Sequence, residues 1–419
     1  MDRKRIFPIL LIVFTNILGA GMIMPTLPLY AVGQFGSTEF QAALLASAYF
    51  GAQFFAAPWL GRLSDQHGRR PILIISQIGT VISFILFIFA GPIGAALESI
   101  GLALPITGGL FMMFVARTLD GVTGGNITTA RAYITDVTPQ ETRTQSLGTL
   151  AATFGLAFIF GPAIGGLLGG ISDLAPFIGA TVITTITLLL TTFTLDESLP
   201  PEKRTHEARL RAHVPLSTLM ANRNFSILLV IGFIGTLAFS AIPPIMSLYV
   251  DQIIFPEISD STIIARNVGF MLSFMGIFNV LTQGVFLRPL TARFGERTLV
   301  LAGQFIFMLV MFAISMVGNF YQLTFLFAPF AFARGITDPP LQSLITRFGT
   351  EQTQGRLLGL YQSSLSAAMI IGPVWAGFVY QNIAPRATFA LSGVILILSV
   401  VLAAVLRARH IEPAPQPAP

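Results

Sequence analysis

The chain has no cysteine. That excludes a disulfide framework, an iron–sulfur cluster and any Cys-ligated zinc site. Histidine is scarce: only His67, His206, His213 and His410 occur, in stretches that read as aqueous loops or tails. They do not suit a histidine relay or metal site inside a membrane, so neither a metal nor another cofactor is expected. Charge is the third scarcity. Asp, Glu, Lys and Arg make up 10% of the 419 residues, against roughly 25% in a soluble domain. Hydrophobic residues reach 53%, Phe alone numbers 37, and the mean hydropathy is +0.76. A soluble globule of this composition would expose large apolar patches. No Gly-x-x-x-x-Gly-Lys-Ser/Thr loop occurs, which argues against an ATP-driven pump. The rival class, a polytopic membrane enzyme, would need grouped His, carboxylate or Ser/His/Asp side chains that the sequence does not show.

What the sequence has in abundance is long apolar runs. A helix crossing the hydrocarbon needs about 20 apolar residues. Twelve runs qualify: 6–30, 40–60, 72–91, 109–130, 146–168 and 175–195, then 224–249, 267–287, 298–317, 320–338, 357–380 and 387–406. They are too long and continuous for barrel strands. The pI near 9.9 does not indicate nucleic acid, because the basic residues are spread between the runs. Arg266 and Arg386 fall on one side, Arg117 and Arg334 inside spans, and the other twenty Lys and Arg on the opposite side. By the positive-inside rule both termini face the cytoplasm, in a multi-pass protein of the inner (plasma) membrane. The reading divides the chain into an N-terminal six-helix bundle (1–195), a charged cytoplasmic linker (196–222), a C-terminal six-helix bundle (223–410) and a disordered Pro-rich tail (411–419).

The two halves echo one another. Gly148 and Gly161-Pro162 match Gly359 and Gly372-Pro373; Pro25 with Leu29-Tyr30 matches Pro244 with Leu248-Tyr249; Gly68 and Arg70 match Gly295 and Arg297. Paired bundles of this kind suit a transporter with alternating access.

Gly61-Arg-Leu-Ser-Asp65-Gln-His-Gly68-Arg69-Arg70-Pro71, between spans two and three, is the most specific segment. Gly61 is expected to permit close helix approach. Asp65 is placed to accept a hydrogen bond or face a helix N-terminus. Arg69 is placed to reach Asp136 at the end of span four. It resembles the loop signature of the major facilitator superfamily, with Gln66 in place of a basic residue. The resemblance implies a latch that holds one access state; the alternative is a tight basic turn that only fixes topology. Gly155–Gly170, with Gly161-Pro162 and the Gly165-Gly166 pair, resembles the span-five motif of that family's drug:proton antiporter branch. Gly161, Gly165 and Gly169 form a smooth face for another helix, and Pro162 removes a backbone bond. Arg117-Thr-Leu-Asp120-Gly121 resembles the span-four Arg-x-x-x-Gly motif, and Asn16 to Pro28 is similar to the opening of bacterial tetracycline exporters.

The resemblance implies an all-α membrane protein of twelve transmembrane helices in two pseudo-symmetric six-helix bundles. It implies a secondary transporter, here proton-coupled efflux of a small hydrophobic or amphipathic compound. Proton symport, or export of a metabolite or lipid-like substrate, is the alternative. The partners implied are a small-molecule substrate, protons and the lipid bilayer, with the protein a monomer. In the tetracycline exporters an acid stands at the position of Asn16, with further acids in spans three and nine, where this chain has none.

Two ionisable pairs lie within spans: Arg117 with Asp120, and Arg334 with Asp338. Intramembrane charges are functional candidates by default. Desolvation of Asp120 favours the neutral acid and Arg117 favours the carboxylate, opposed pulls that suit a proton carrier. The other reading is a permanent pair that joins helices. Asp338, next to Pro339-Pro340, reads as structural. Asn16, Tyr49, Gln53, Asn126, Phe154, Phe239, Asn279, Gln283 and Gln362 are candidates to line a substrate cavity, or else interhelical hydrogen-bond partners.

Overall fold

The structure is a computed structural model and describes residues 3–101, 105–124, 126–200, 202, 204, 222–258, 260–348 and 354–408. The tail 411–419, most of the linker 196–222, and His206, His213 and His410 lie outside the described residues.

In hydrocarbon every backbone N–H and C=O must be satisfied within the chain, and helices do this locally. Among the described residues the regular structure is entirely helical. The first half contains α1 (Arg3–Met22), α2 (Leu27–Phe35), α3 (Glu39–His67), α4 (Arg69–Ile88), α5 (Ala90–Ser99), α6 (Gly108–Thr123), α7 (Asn126–Val137), α8 (Gln140–Gly169) and α9 (Ala175–Thr194). The second contains α10 (Arg223–Ser240), α11 (Ile242–Tyr249), α12 (Ser261–Leu281), α13 (Leu287–Phe294), α14 (Glu296–Met316), α15 (Phe320–Thr346), α16 (Gln354–Asn382) and α17 (Pro385–Ala408). Nine stretches of the described residues are long and apolar enough to cross a membrane by length and composition. The other three spans of the twelve are less regular. One is broken at Gly124 between α6 and α7. Another is α8, with an apolar part at Thr153–Gly169. The last is α15, which carries Arg334, Asp338 and three prolines.

The apolar run 6–30 does not form one uninterrupted helix. It breaks after Met22 and restarts at Leu27, with Leu27 N–H donating to the Ile23 carbonyl at 2.9 Å. Pro25 has no N–H for the ladder, and Pro28 suits the first turn of α2.

The helices are inverted with respect to a soluble protein. On α4 Ile75, Ile78, Ile82 and Ile85 are exposed, while Ser76, Gln77, Thr80 and Ser83 are buried. On α9 Ile178, Val182, Ile186 and Leu189 are exposed, while Thr184, Thr187 and Thr191 are buried. Both outward stripes recur every three to four residues, the spacing of one helix face. The medium outside is therefore lipid. Several of the buried hydroxyls are satisfied within the chain: Thr187 donates to Thr15 at 2.6 Å, and Thr191 donates to the Thr187 carbonyl at 2.8 Å, whereas the Thr184 hydroxyl has no hydrogen-bond partner.

Contacts divide the chain into two compact units. One comprises Met1–Leu210 with Pro243–Ser273, the other Arg211–Ile242 with Phe274–Pro419. In the first unit, Ile9, Ile12, Leu73, Tyr133, Ile134 and Leu195 belong to one core cluster. In the second, Phe225, Leu228, Val300, Leu344, Leu357 and Leu406 do the same.

Candidate functional site

Gly68 ends α3 with φ +103, a left-handed conformation that favours glycine. It offers no side chain to cap α4, whose first N–H groups need acceptors. Glu197 supplies them. Its carboxylate accepts from the Arg69 N–H at 2.8 Å, the Arg70 N–H at 3.2 Å and the Leu199 N–H at 3.0 Å. A Cβ on Gly68 would collide with that carboxylate. Arg69, 6% exposed, donates from Nε to Asp136 at 2.9 Å and from Nη1 to the Ser64 hydroxyl at 3.0 Å, and pairs with Asp65. Ser198 donates to the same Asp136 oxygen at 3.1 Å, and Arg70 donates to the Thr192 carbonyl at 2.5 Å. The signature thus ties the ends of α3, α4, α7 and α9 together. Gly61 makes no close approach: a Cβ there would meet open space, so the packing role expected of it is not used in this structure. The sequence reading missed Glu197. Its only signal was an acid just beyond span six, inside a segment whose charge reads as solvated.

The span-five glycines form a contact face in the first unit. A Cβ on Gly161 would lie 3.0 Å from the Gly21 Cα, and one on Gly165 would overlap the Met22 backbone. A Cβ on Gly166 would lie 2.7 Å from the Gly269 Cα. Pro162 sits inside the continuous α8, and Gly155 is half-buried on it.

The span-four pair also lies in the first unit. Arg117 Nη1 is 3.1 Å from Asp120 Oδ2, and Asp120 is 3% exposed. The guanidinium carbon lies 4.5 Å from the Tyr49 ring centroid, within the range of a cation–π contact. Gln53 donates to the Tyr49 hydroxyl at 3.2 Å and to the Gly124 carbonyl at 3.0 Å. Arg117 Nε is buried without a hydrogen-bond partner. Tyr49 and Gln53 therefore share one cluster with Arg117 and Asp120.

The remaining cavity candidates are dispersed. Asn16 borders a void of about 10 Å³ with Ile12, Leu73 and Ile127, too small for an organic substrate. Phe154 packs beside the core cluster that contains Tyr133. The Asn126 side chain lies outside the described residues. In the second unit, Phe239 stacks on Phe330, Gln283 donates to Asn279 at 2.8 Å, and Gln362 is exposed. That unit also holds a cavity of about 490 Å³, lined by Glu296, Arg297, Arg347 and Arg407 among others. Glu296 pairs there with Arg347 at 2.7 Å and accepts from Ser343 at 2.7 Å.

Two further in-span polar residues were missed. Gln77 and Gln304 are buried, and Gln77 Oε1 and Nε2 and Gln304 Oε1 lack partners. The Gly68-to-Gly295 offset places them at equivalent repeat positions. Among the described residues no group of three or more acids or histidines is placed to hold a metal ion.

A family model described as Major Facilitator Superfamily matches residues 9–265 and 253–419. The class C tetracycline resistance protein of Escherichia coli is 32% identical, with 90% of each chain covered. The multidrug resistance protein MdtG of Salmonella paratyphi C is 29% identical over 91% of this chain and 89% of its own. The crystal structure of the nucleoside transporter NupG superposes with a TM-score of 0.75 over 98% of this chain and all of that one, at 13% identity, a likeness of fold alone. Helices with lipid-facing apolar stripes, a hydrogen-bonded loop between spans two and three, and a family model that covers nearly the whole chain agree: this integral membrane protein is a transporter, not an enzyme, and belongs to the Major Facilitator Superfamily.

Proposed function

We propose that the protein exports small hydrophobic or amphipathic compounds of the drug type in exchange for protons, and that Asp120 takes up and releases the coupling proton. The cluster of Asp120, Arg117 and Tyr49 carries this reading. Asp120 is buried in a membrane span, and its ion-pair partner is an arginine one turn away on its own helix. That arginine also rests on the Tyr49 ring. Protonating Asp120 removes the ion pair but leaves Arg117 supported by the ring. The pair then changes charge without stranding a cation in a medium where an unpaired charge is costly. Relatives named for tetracycline and multidrug resistance support export of a drug-like cargo. The few in-span charges and many aromatics suit such a cargo better than a highly charged solute.

In this reading the protein lies in the inner membrane with both termini cytoplasmic. Segment 196–222 links two six-span halves, and Gly68, Arg69, Arg70, Asp65, Asp136 and Glu197 form a latch that holds one access state.

The test is reconstitution in liposomes with an imposed pH gradient and fluorescent readout of tetracycline and ethidium. Wild-type protein moves at least one probe uphill with counterflow of protons. Asp120→Asn loses gradient-driven transport while downhill exchange persists. Full proton-driven export by Asp120→Asn rules out the role of Asp120. Absence of proton-coupled movement of either probe by wild-type protein counts against drug:proton antiport itself.

A further inference from the structure

The chain contains a second in-span arginine–acid pair, half-buried, and its surroundings differ from those of an ordinary structural pair. Arg334 and Asp338 lie one turn apart on α15, with Arg334 Nη2 3.0 Å from Asp338 Oδ2. The guanidinium carbon stands 5.1 Å from the Phe239 ring centroid and 5.8 Å from that of Phe307. Gly235 on α10 makes room for this arrangement. A Cβ there would lie 3.3 Å from Arg334 Nη1 and 3.0 Å from Gln304 Nε2. The arginine thus lies against two aromatic rings and near a buried amide whose oxygen has no hydrogen-bond partner. Tyr361 on α16 also interacts electrostatically with Asp338 and Arg334.

The acids of this chain sort by how fully they are satisfied. Glu197 accepts three backbone N–H groups, Asp136 accepts from Arg69 and Ser198, and Glu296 is held by Arg347 and Ser343. These are anchored carboxylates, as buried polar groups ordinarily are. Asp120 and Asp338 lie within the spans, and each is paired with an arginine of its own helix. In both cases that arginine also sits on an aromatic face. A carboxylate that serves as glue needs donors from a neighbouring helix. One that must exchange a proton needs few donors and a partner cation that can stand without it. Asp338 fits the second description, and a 35% exposed side chain leaves it a route for the proton.

We propose that Asp338 is a second proton-carrying group, so that each turnover moves two protons, one on Asp120 and one on Asp338. The proposal rests on the proton-coupled reading above. At each site a carboxylate and a proton combine to give the neutral acid on loading, and the reverse occurs on release. No other reactant is needed. Arg334 keeps its position over Phe239 and Phe307 throughout the cycle.

The direct test is infrared difference spectroscopy of purified, cargo-free protein between about pH 5 and about pH 9, which reads the C=O stretch of protonated carboxyl groups. Asp338→Asn removes one carboxyl's intensity from the difference spectrum, and Asp120→Asn removes a second. Asp338→Glu keeps an acid and shifts the band. If Asp338→Asn fails to fold, the band shift in Asp338→Glu carries the test. A spectrum unchanged by the folded Asp338 variant overturns the proposal. Reversal-potential measurements in liposomes, with ethidium as probe, then count protons per cargo. Wild type gives two and Asp338→Asn gives one; a wild-type value of one also overturns it. Absence of coupled flux of both tetracycline and ethidium sinks the antiport reading, whereas the infrared result judges Asp338 separately.

Discussion

Removal of the Glu197 carboxylate tests whether the loop between spans two and three is fastened from below. The side chain accepts three N–H groups, two of them at the start of α4. A hydrogen bond to a charged group contributes about 1.5–3 kcal/mol net when buried. Solvent reaches part of this carboxylate, so the whole cap is worth about 2 kcal/mol, the upper end for loss of a helix N-cap. Each 1.4 kcal/mol is a factor of ten, so Glu197→Ala raises the open population of this helix end about 30-fold. Glu197→Gln keeps one acceptor oxygen and costs about 1 kcal/mol, roughly fivefold. Hydrogen exchange by mass spectrometry reads this directly, as faster exchange in peptides that span Arg69 and Arg70. The start of α10, capped by the Asn222 side chain on the Asn224 and Phe225 N–H groups, serves as an internal control that should not change. Exchange at Arg69–Arg70 within about threefold of wild type in Glu197→Ala would refute the cap.

Other expectations follow from the same contacts. Gly165→Leu forces a side chain into the Met22 backbone and should abolish a monodisperse size-exclusion peak, whereas Gly161→Ala, at 3.0 Å from the Gly21 Cα, should cost about 1–3 kcal/mol in thermal unfolding. Tyr49→Phe keeps the ring under Arg117 and should retain proton-driven transport; Tyr49→Ala removes a contact worth about 0.5–2 kcal/mol and should weaken it. Asp260, outside the spans, accepts from the Thr262 hydroxyl and N–H, which hold its carboxyl below the usual range. A folded value below the unfolded one stabilises at neutral pH, and the gain disappears as pH falls through the folded value. Asp260→Asn should therefore lower the unfolding midpoint at pH 7 and converge with wild type in acid, as thermal scans across pH can show.

The fold was legible because lipid leaves few choices. Runs of about 20 apolar residues must be helices, and the twelve runs were read from hydropathy alone. The Arg69–Asp136 contact was legible because the loop signature fixes where its arginine projects. The break after Met22 was not, since the run stays apolar across it and only Pro25 and Pro28 mark the interruption. Glu197 was hidden because composition makes 196–222 look solvated, while the decisive fact is an unmet need of the α4 backbone for acceptors. Gln77 and Gln304 were hidden because a hydropathy window averages over all faces of a helix. Only packing reveals that both side chains point inward.

The two ends of the repeat hold one further lesson. The Gly68-to-Gly295 offset sets Arg69 against Glu296. Arg69 pairs with Asp136, which also accepts from Ser198; Glu296 pairs with Arg347 and also accepts from Ser343. The repeat therefore preserves an ion pair with a serine donor but reverses its charge. Each sign is set by its neighbours. Arg69 sits with Asp65 beside it and Glu197 on its backbone, so an acid there would face two like charges. Glu296 shares its cavity with Arg297 and Arg407, so a base there would face two arginines. If the ion pair alone mattered, a charge-swapped double variant would restore stability in either half. Because the neighbours fix the sign, Arg69→Asp with Asp136→Arg should remain as unstable as the single variants, about 3–5 kcal/mol below wild type for a largely buried pair that is broken. Glu296→Arg with Arg347→Glu should fail likewise, by a smaller margin because Arg347 is more than half exposed. Recovery of the wild-type unfolding midpoint by either swap would show that pairing, and not the surrounding field, decides which residue stands where.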